Sequence, residues 1–142
     1  MKKRVLAFDV GDKRIGVAVS DALGITAQPV ETYHRKGGAE KDAEYLLALA
    51  KEYAPCTLLF GLPRNMDGTY GEQAEKVKKF AQRLIDQWDG PYDFYDERLT
   101  TMAARRVLLD ADVSREKRKQ VIDKMAAVVI LQGYMESHRD RL

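Results

Sequence analysis

The chain has 142 residues, of which 45% are hydrophobic and 32% are charged, and its formal net charge is +2. This composition excludes an intrinsically disordered chain and the length allows one hydrophobic core, so we expect a single domain over residues 1–142. The longest apolar runs are far shorter than the ~20 residues of a membrane helix and no secretory signal is present, so we expect a cytoplasmic protein.

The N-terminal part of the chain has the pattern of an antiparallel sheet. Residues 4–10 and 14–20 are rich in Val, Ile, Leu and Phe, and the turn that opens with Gly11 between them predicts a hairpin. Residues 25–33 predict a third strand, in which Pro29 favours a sheet edge or a bulge.

Helical and strand patterns alternate after this sheet. Apolar residues at helical spacing predict four helices, over residues 39–53, 70–88, 99–109 and 114–137. Short strands are predicted over residues 56–60 and 92–96, the first of them ending before Gly61. Because strands joined through a helix are parallel, the order predicts an α/β fold with a mixed sheet.

Asp9 places a carboxylate at the end of the otherwise apolar first strand. An ionised carboxylate in a central strand costs several kcal/mol unless it is paired, hydrogen-bonded or metal-bound. Asp9 could therefore belong to a site at the carboxyl edge of the sheet, where α/β folds bind ligands. Alternatively, it could accept backbone N–H groups of the turn at Gly11.

Asp96 and Glu97 end the fifth strand, at the same predicted edge of the sheet. Adjacent residues of a strand lie on opposite faces, so only one of them can join Asp9. We favour Glu97, because its longer side chain can turn back over the sheet edge. Asp96 could instead cap the helix that follows.

Asp123 is the third candidate carboxylate. It shares a helical face with Ala127 and Ile130, which places it on or beside the buried stripe of the last helix. The alternative is a residue at the edge of the stripe that pairs with Arg118 or Lys119.

Three converging carboxylates would repel one another unless a cation lay between them. Oxygen ligands without His or Cys suit Mg²⁺ or Mn²⁺, and such clusters serve metal-assisted phosphoryl transfer. The pattern therefore indicates a metal site that acts on phosphodiesters.

Basic residues are concentrated from residue 98 onward, where ten Lys and Arg stand against six Asp and Glu. Cations in the first turns of the last helix oppose its dipole, a conflict that a bound polyanion would relieve, although a solvated charged turn is an equal alternative. Arg98 could also pair with Asp96, and residues 64–71 could form either a mobile loop or a plain connection. The candidate phosphate contacts are Arg14, Arg64, Arg98, Arg115, Arg118 and Lys119.

The motifs DVGDKRIGVAVSD, FGLPRNMDG, DERLTT and DKMAAVVILQGYM, spread in this order from Asp9 to Met135, resemble those of the YqgF family, also called RuvX, of pre-16S ribosomal RNA nucleases. The resemblance implies an RNase H-like fold, with a five-stranded mixed sheet flanked by helices. It also implies that Asp9, Glu97 and Asp123 bind the metal. The implied function is maturation of the 5′ end of 16S ribosomal RNA, with kinship to Holliday-junction resolvases.

Three partners follow from that resemblance, namely structured RNA, a pre-ribosomal particle and, less favoured, branched DNA. Two other classes of function are consistent with parts of the sequence. A sugar-kinase-like or actin-like ATPase also has a strand ending in Asp-x-Gly before a hairpin, but it needs two such domains, for which 142 residues leave no room. A non-catalytic RNA-binding assembly factor stays open, because an acidic cluster indicates metal binding more directly than turnover.

Overall fold

The computed structural model describes residues 4–65, 67–97 and 115–138; within these ranges, the side chains of residues 97 and 115–124 lie outside the description. The predicted helix over residues 99–109 also lies outside the described residues. The elements in chain order are β1 (Arg4–Val10), β2 (Arg14–Ser20), β3 (Ala27–His34), α1 (Ala39–Tyr53), β4 (Cys56–Pro63), α2 (Glu72–Ile85), β5 (Tyr92–Glu97) and α3 (Arg115–Ser137).

The five strands form one mixed sheet in the order β3-β2-β1-β4-β5. The β1–β2 and β2–β3 pairs are antiparallel, and β1–β4 and β4–β5 are parallel, as the connections predict. Pro29 lies on the edge strand β3 opposite Ala18, where the register shifts. Both expectations for Pro29, an edge and a bulge, are therefore confirmed.

Alternation along β1 divides the core into two layers. Leu6 and Phe8 pack into a cluster with α1 and α2, which we call the α1/α2 face. Val5 and Ala7 pack into a second cluster with α3, which we call the α3 face. No helix within residues 4–65, 67–97 and 115–138 is both long and apolar enough to cross a membrane.

Several element boundaries differ from those that the sequence predicts: β3 is displaced to Ala27–His34, β5 and α3 each differ by one residue, and the largest differences are in β4 and α2. β4 continues to Pro63 and does not end before Gly61, because its last residues pair with the end of β5. α2 is shorter at both ends than residues 70–88, since Tyr70 bonds to Asp96 and the Trp88 indole N–H donates to the Pro91 carbonyl. Long-range partners therefore override the local pattern at the end of β4 and the start of α2, and a local hydrogen bond in the turn does so at the end of α2.

Candidate functional site

Asp9 lies at the carboxyl end of β1, the central strand of the sheet. It continues the alternation of Val5 and Ala7, which places it on the α3 face, and it is partly buried. Across the antiparallel neighbour it stands opposite Gly16 of β2. Asp9 is thus a partly buried carboxylate at the edge of the sheet, where the carboxyl ends of the strands lie next to the helices.

The hairpin turn after Asp9 depends on Gly11. The Gly11 N–H donates to the Arg14 carbonyl at 2.9 Å, and a Cβ at position 11 would lie 2.7 Å from that same oxygen. Only glycine therefore fits the close approach. Arg14 opens the return strand, and alternation with Ala18 places it on the α3 face, as it does Asp9.

Asp96 lies on the opposite face of the sheet. It alternates with Phe94, which packs against the cluster of α1 and α2. Its carboxylate accepts the Tyr70 hydroxyl at 2.9 Å and an Arg64 guanidinium N–H at 3.2 Å. The hydrogen bond to this carboxylate raises the pKa of Tyr70. Asp96 thus anchors the segment before α2, and Arg64 is its cation among the described residues, which do not include Arg98.

Position 97 belongs to the same face of β5 as Tyr95, which packs against the cluster beneath α3. It pairs in register with Pro63, at the carboxyl end of both strands. The backbone therefore leaves Glu97, and not Asp96, on the face that carries Asp9.

The face of α3 that meets the sheet contains Ala127, Ile130 and Tyr134, all buried. Position 123 precedes Ala127 by one helical turn on this face. Ala127 and Ala7 of β1 are in one cluster, so the helix passes close to the strand that ends at Asp9.

Tyr134 and Gly133 fix α3 against β5. The Tyr134 hydroxyl donates to Asp93 at 3.0 Å, and burial together with this bond raises the Tyr134 pKa to about 12. A Cβ on Gly133 would lie 2.5 Å from the Tyr95 hydroxyl, so the helix backbone meets this ring directly. The orientation of α3 on the sheet is therefore closely specified.

Arg64 is engaged within the loop that follows β4. Its guanidinium Nε donates to the Gly68 carbonyl at 2.9 Å, and it lies 4.9 Å from the centre of the Tyr70 ring. The Asn65 N–H also donates to the Thr69 carbonyl at 2.7 Å. These contacts engage Arg64 within the described part of the loop, and its role as a phosphate contact stays a prediction.

The remaining candidates are located by backbone alone or not described. Position 123 and positions 115, 118 and 119 lie on α3, with the last three in its first turns, while Arg98 lies outside the described residues. Among the described side chains, no three His, Cys, Asp or Glu residues form a group that could hold a metal ion. The side chains of Glu97 and Asp123 are not among these described side chains.

Asp42 is a buried carboxylate that the sequence did not indicate as functional. It stabilises the β1–β2 hairpin from the α1/α2 face of the sheet. Asp42 of α1 is only 1% exposed and accepts the Tyr33 hydroxyl at 2.8 Å and the Arg35 Nε–H at 2.9 Å. Burial acts to raise the pKa of Asp42, but the bonds from Arg35 and Tyr33 outweigh it and lower the pKa. Arg35 also donates to the Gly11 carbonyl at 2.9 Å, so this network supports the turn next to Asp9.

Comparisons with known proteins agree with this architecture. A family model described as "RuvX: Holliday junction resolvase" matches residues 3–137. A protein of Clostridium novyi (strain NT), named "Putative pre-16S rRNA nuclease", is 54% identical over 134 residues, covering 94% of this chain and 98% of that protein. A protein of Symbiobacterium thermophilum with the same name is 51% identical over 138 residues, covering 97% and 95%.

A solved structure of Thermus thermophilus RuvC in complex with a Holliday junction substrate matches with a TM-score of 0.58 at 15% identity, covering 96% of both chains. A second RuvC structure from the same organism gives a TM-score of 0.55 at 14% identity. At these identities the likeness concerns the fold alone. It confirms the RNase H-like fold, with its five-stranded mixed sheet, expected for this chain.

Proposed function

The chain belongs to the RuvX family, and we propose that it is a metal-dependent nuclease that hydrolyses phosphodiester bonds during maturation of the 5′ end of pre-16S ribosomal RNA. One observation supports this proposal: Asp9 lies at the carboxyl end of the central strand, and backbone positions alone put position 97 at the carboxyl end of β5 and position 123 one helical turn before Ala127 of α3. The relatives named as pre-16S rRNA nucleases support the substrate. The chain would act in the cytoplasm, as a single domain, on RNA within a pre-ribosomal particle.

Asp9, Glu97 and Asp123 would hold the metal. Their donors are all carboxylate oxygens, which suit Mg²⁺ or Mn²⁺ better than softer metals. When bound, such an ion would supply positive charge for the phosphoryl group and lower the pKa of water. The chain itself would hold the substrate phosphates, with Arg14 from β2 and with Arg98, Arg115, Arg118 and Lys119.

Mg²⁺ should raise the melting temperature of the wild type more than that of Asp9→Asn, because the ion relieves repulsion among the three carboxylates. At 100 times its Kd, a ligand of the native state adds about 2.7 kcal/mol, which corresponds to roughly 5–10 °C for a chain of this size. Differential scanning fluorimetry with and without Mg²⁺ measures the shift. Equal shifts in the two proteins would count against a metal site at Asp9.

The substrate is tested by offering the purified protein a 5′-labelled 16S precursor, a four-way DNA junction and ATP, each with Mg²⁺, Mn²⁺ or EDTA. We expect cleavage of the precursor at its 5′ side, dependent on the metal. Cleavage of the junction alone would favour the resolvase alternative, for which the family model described as a Holliday junction resolvase is the supporting observation. Tight binding of the precursor without cleavage would favour a non-catalytic assembly factor.

A further inference from the structure

A groove of about 850 Å³ opens at the carboxyl end of β1 on the α1/α2 face of the sheet. Val10 and Gly11, which directly follow Asp9, form one side of it, and α2 forms the other. The start of α1 at Gly38 closes its end. We call this the basic groove, because the cations that line it include Lys13, Arg35, Lys76, Lys79 and Arg83.

Arg35 and Asp42 build the floor of the basic groove. Their ion pair measures 2.9 Å, and the Arg35 guanidinium lies 4.8 Å from the centre of the Phe80 ring. The two charges compensate each other, and the Phe80 ring is buried beneath the guanidinium. The Arg35–Asp42 pair therefore belongs to the structure of the groove. The groups that would bind a ligand are the cations on the sides of the groove.

Three cations on α2 form a wall with helical spacing. Lys76, Lys79 and Arg83 lie on one side of the helix and span about 10 Å of its axis. Lys76 pairs with Asp12 at 3.6 Å and Arg83 with Glu40 at 4.0 Å, and every one of these side chains is at least half exposed. Exposed pairs of this kind contribute little stability, so phosphates can replace the carboxylates at small cost.

Further positive charge around the groove has no carboxylate partner in the described structure. Lys13 and Lys79 in the groove, and Lys36 and Lys41 on its flank, make no ion pair within residues 4–65, 67–97 and 115–138. At the start of α1, Gly38 caps the helix without a side-chain hydrogen bond. The partial positive charge of the helix start therefore adds to that of the lysines.

We propose that the basic groove binds the backbone phosphates of the RNA strand that continues from the bond cleaved beside Asp9. This inference rests on the proposed nuclease function and adds a second contact region, on the opposite face of the sheet. A strand that leaves Asp9 around the end of β1 meets the groove at Val10 and Gly11. The ~10 Å of α2 that carries the cations is long enough to contact more than one phosphate of a strand.

The recognition would be independent of base sequence. Lysine and arginine side chains on phosphates fix the register of a strand without reading its bases. Phe80, the aromatic ring beneath Arg35, is buried and offers no face on which a base could stack. A strand of DNA with the same sequence should therefore respond to changes in the groove as the RNA does.

The test is the salt dependence of binding by the double variant Lys79→Gln/Arg83→Gln. Fluorescence anisotropy in EDTA, with a labelled single-stranded fragment of the 16S precursor, measures binding without cleavage. Each lost contact on a single strand lowers the slope of log K against log salt by about 0.7, so we expect a slope smaller by about 1.4 and affinity about 20-fold lower at 0.1 M salt. Lys51→Gln, which removes one positive charge in the last turn of α1 outside the groove, is the control and should bind as the wild type does.

Both substituted side chains are exposed, so all variants should melt at the temperature of the wild type. A double variant with the slope and affinity of the wild type would overturn the groove proposal, and the nuclease function would stand if the wild type still cleaves the precursor. A reduced slope together with a wild type that cleaves nothing would overturn the nuclease and retain the groove. A wild type that does not bind the fragment would also overturn the groove proposal, and cleavage of the precursor would still decide the nuclease function.

Discussion

Replacing Asp9 with Asn is expected to slow cleavage of the precursor by about 10³-fold while the chain stays folded. Removing a metal ligand takes away several kcal/mol of charge stabilisation in the transition state, and each 1.36 kcal/mol is a factor of ten in rate. Asn has nearly the shape of Asp and keeps an acceptor oxygen, so the strand at this position should be retained.

Single-turnover cleavage with saturating Mg²⁺ measures this loss, and thermal melting in EDTA checks the fold. Asp89→Asn is the matched control, because Asp89 is an exposed carboxylate between α2 and β5, away from the end of β1. It should cleave at the rate of the wild type. Cleavage by Asp9→Asn at that same rate would mean that Asp9 is not part of the active site.

Asp42→Asn should give the largest loss of stability, about 3 kcal/mol, or about 10 °C in melting temperature. The Asp42 side chain is 1% exposed, and its partner Arg35 is 20% exposed. The variant leaves the Arg35 guanidinium beside a neutral amide, so a largely buried cation loses its counter-charge. Urea unfolding at pH 7 measures the change.

The same pair predicts how acid affects the wild type. Because the folded pKa of Asp42 is lowered, its contribution is fully present above the unfolded pKa of ~3.9 and is lost as the pH falls through the folded value. The gap in unfolding free energy between the wild type and Asp42→Asn should therefore narrow below about pH 4. A gap of constant size from pH 7 to pH 3 would show that the charge of Asp42 contributes nothing to the fold.

The sequence predicted both strands of the hairpin because they are rich in Val, Ile, Leu and Phe and are separated by a turn at Gly11, signals that are strong and local. β1 and β2 have the predicted bounds, and so does α1. The preference for Glu97 over Asp96 rested on its longer side chain, and it stays a prediction; the register of β5 shows only that positions 96 and 97 alternate at the carboxyl end of the strand. The longer β4 was missed, because only the pairing with β5 extends that strand beyond Gly61.

The Asp42 network and the basic groove could not be predicted in the same way. Asp42 lies in the first turn of α1, where an acidic residue is ordinary, and its burial depends on Tyr33 and Arg35 of other segments. Likewise, Lys79 and Arg83 fall on the polar side of an amphipathic helix, where cations are common. Their place in the basic groove depends on the approach of α2 to the hairpin turn, which no local sequence pattern predicts.

The central claim is that Asp9, Glu97 and Asp123 form one metal site, and it is tested most directly by combining substitutions. Residues that act as a unit in catalysis are not additive, so the rate of the double variant Asp9→Asn/Asp123→Asn should be no lower than that of the slower single variant. Single-turnover cleavage of the 5′-labelled precursor with saturating Mg²⁺ gives these rates, and Glu97→Gln extends the series. Losses that multiply from one variant to the next would contradict a shared site and show that the carboxylates act separately.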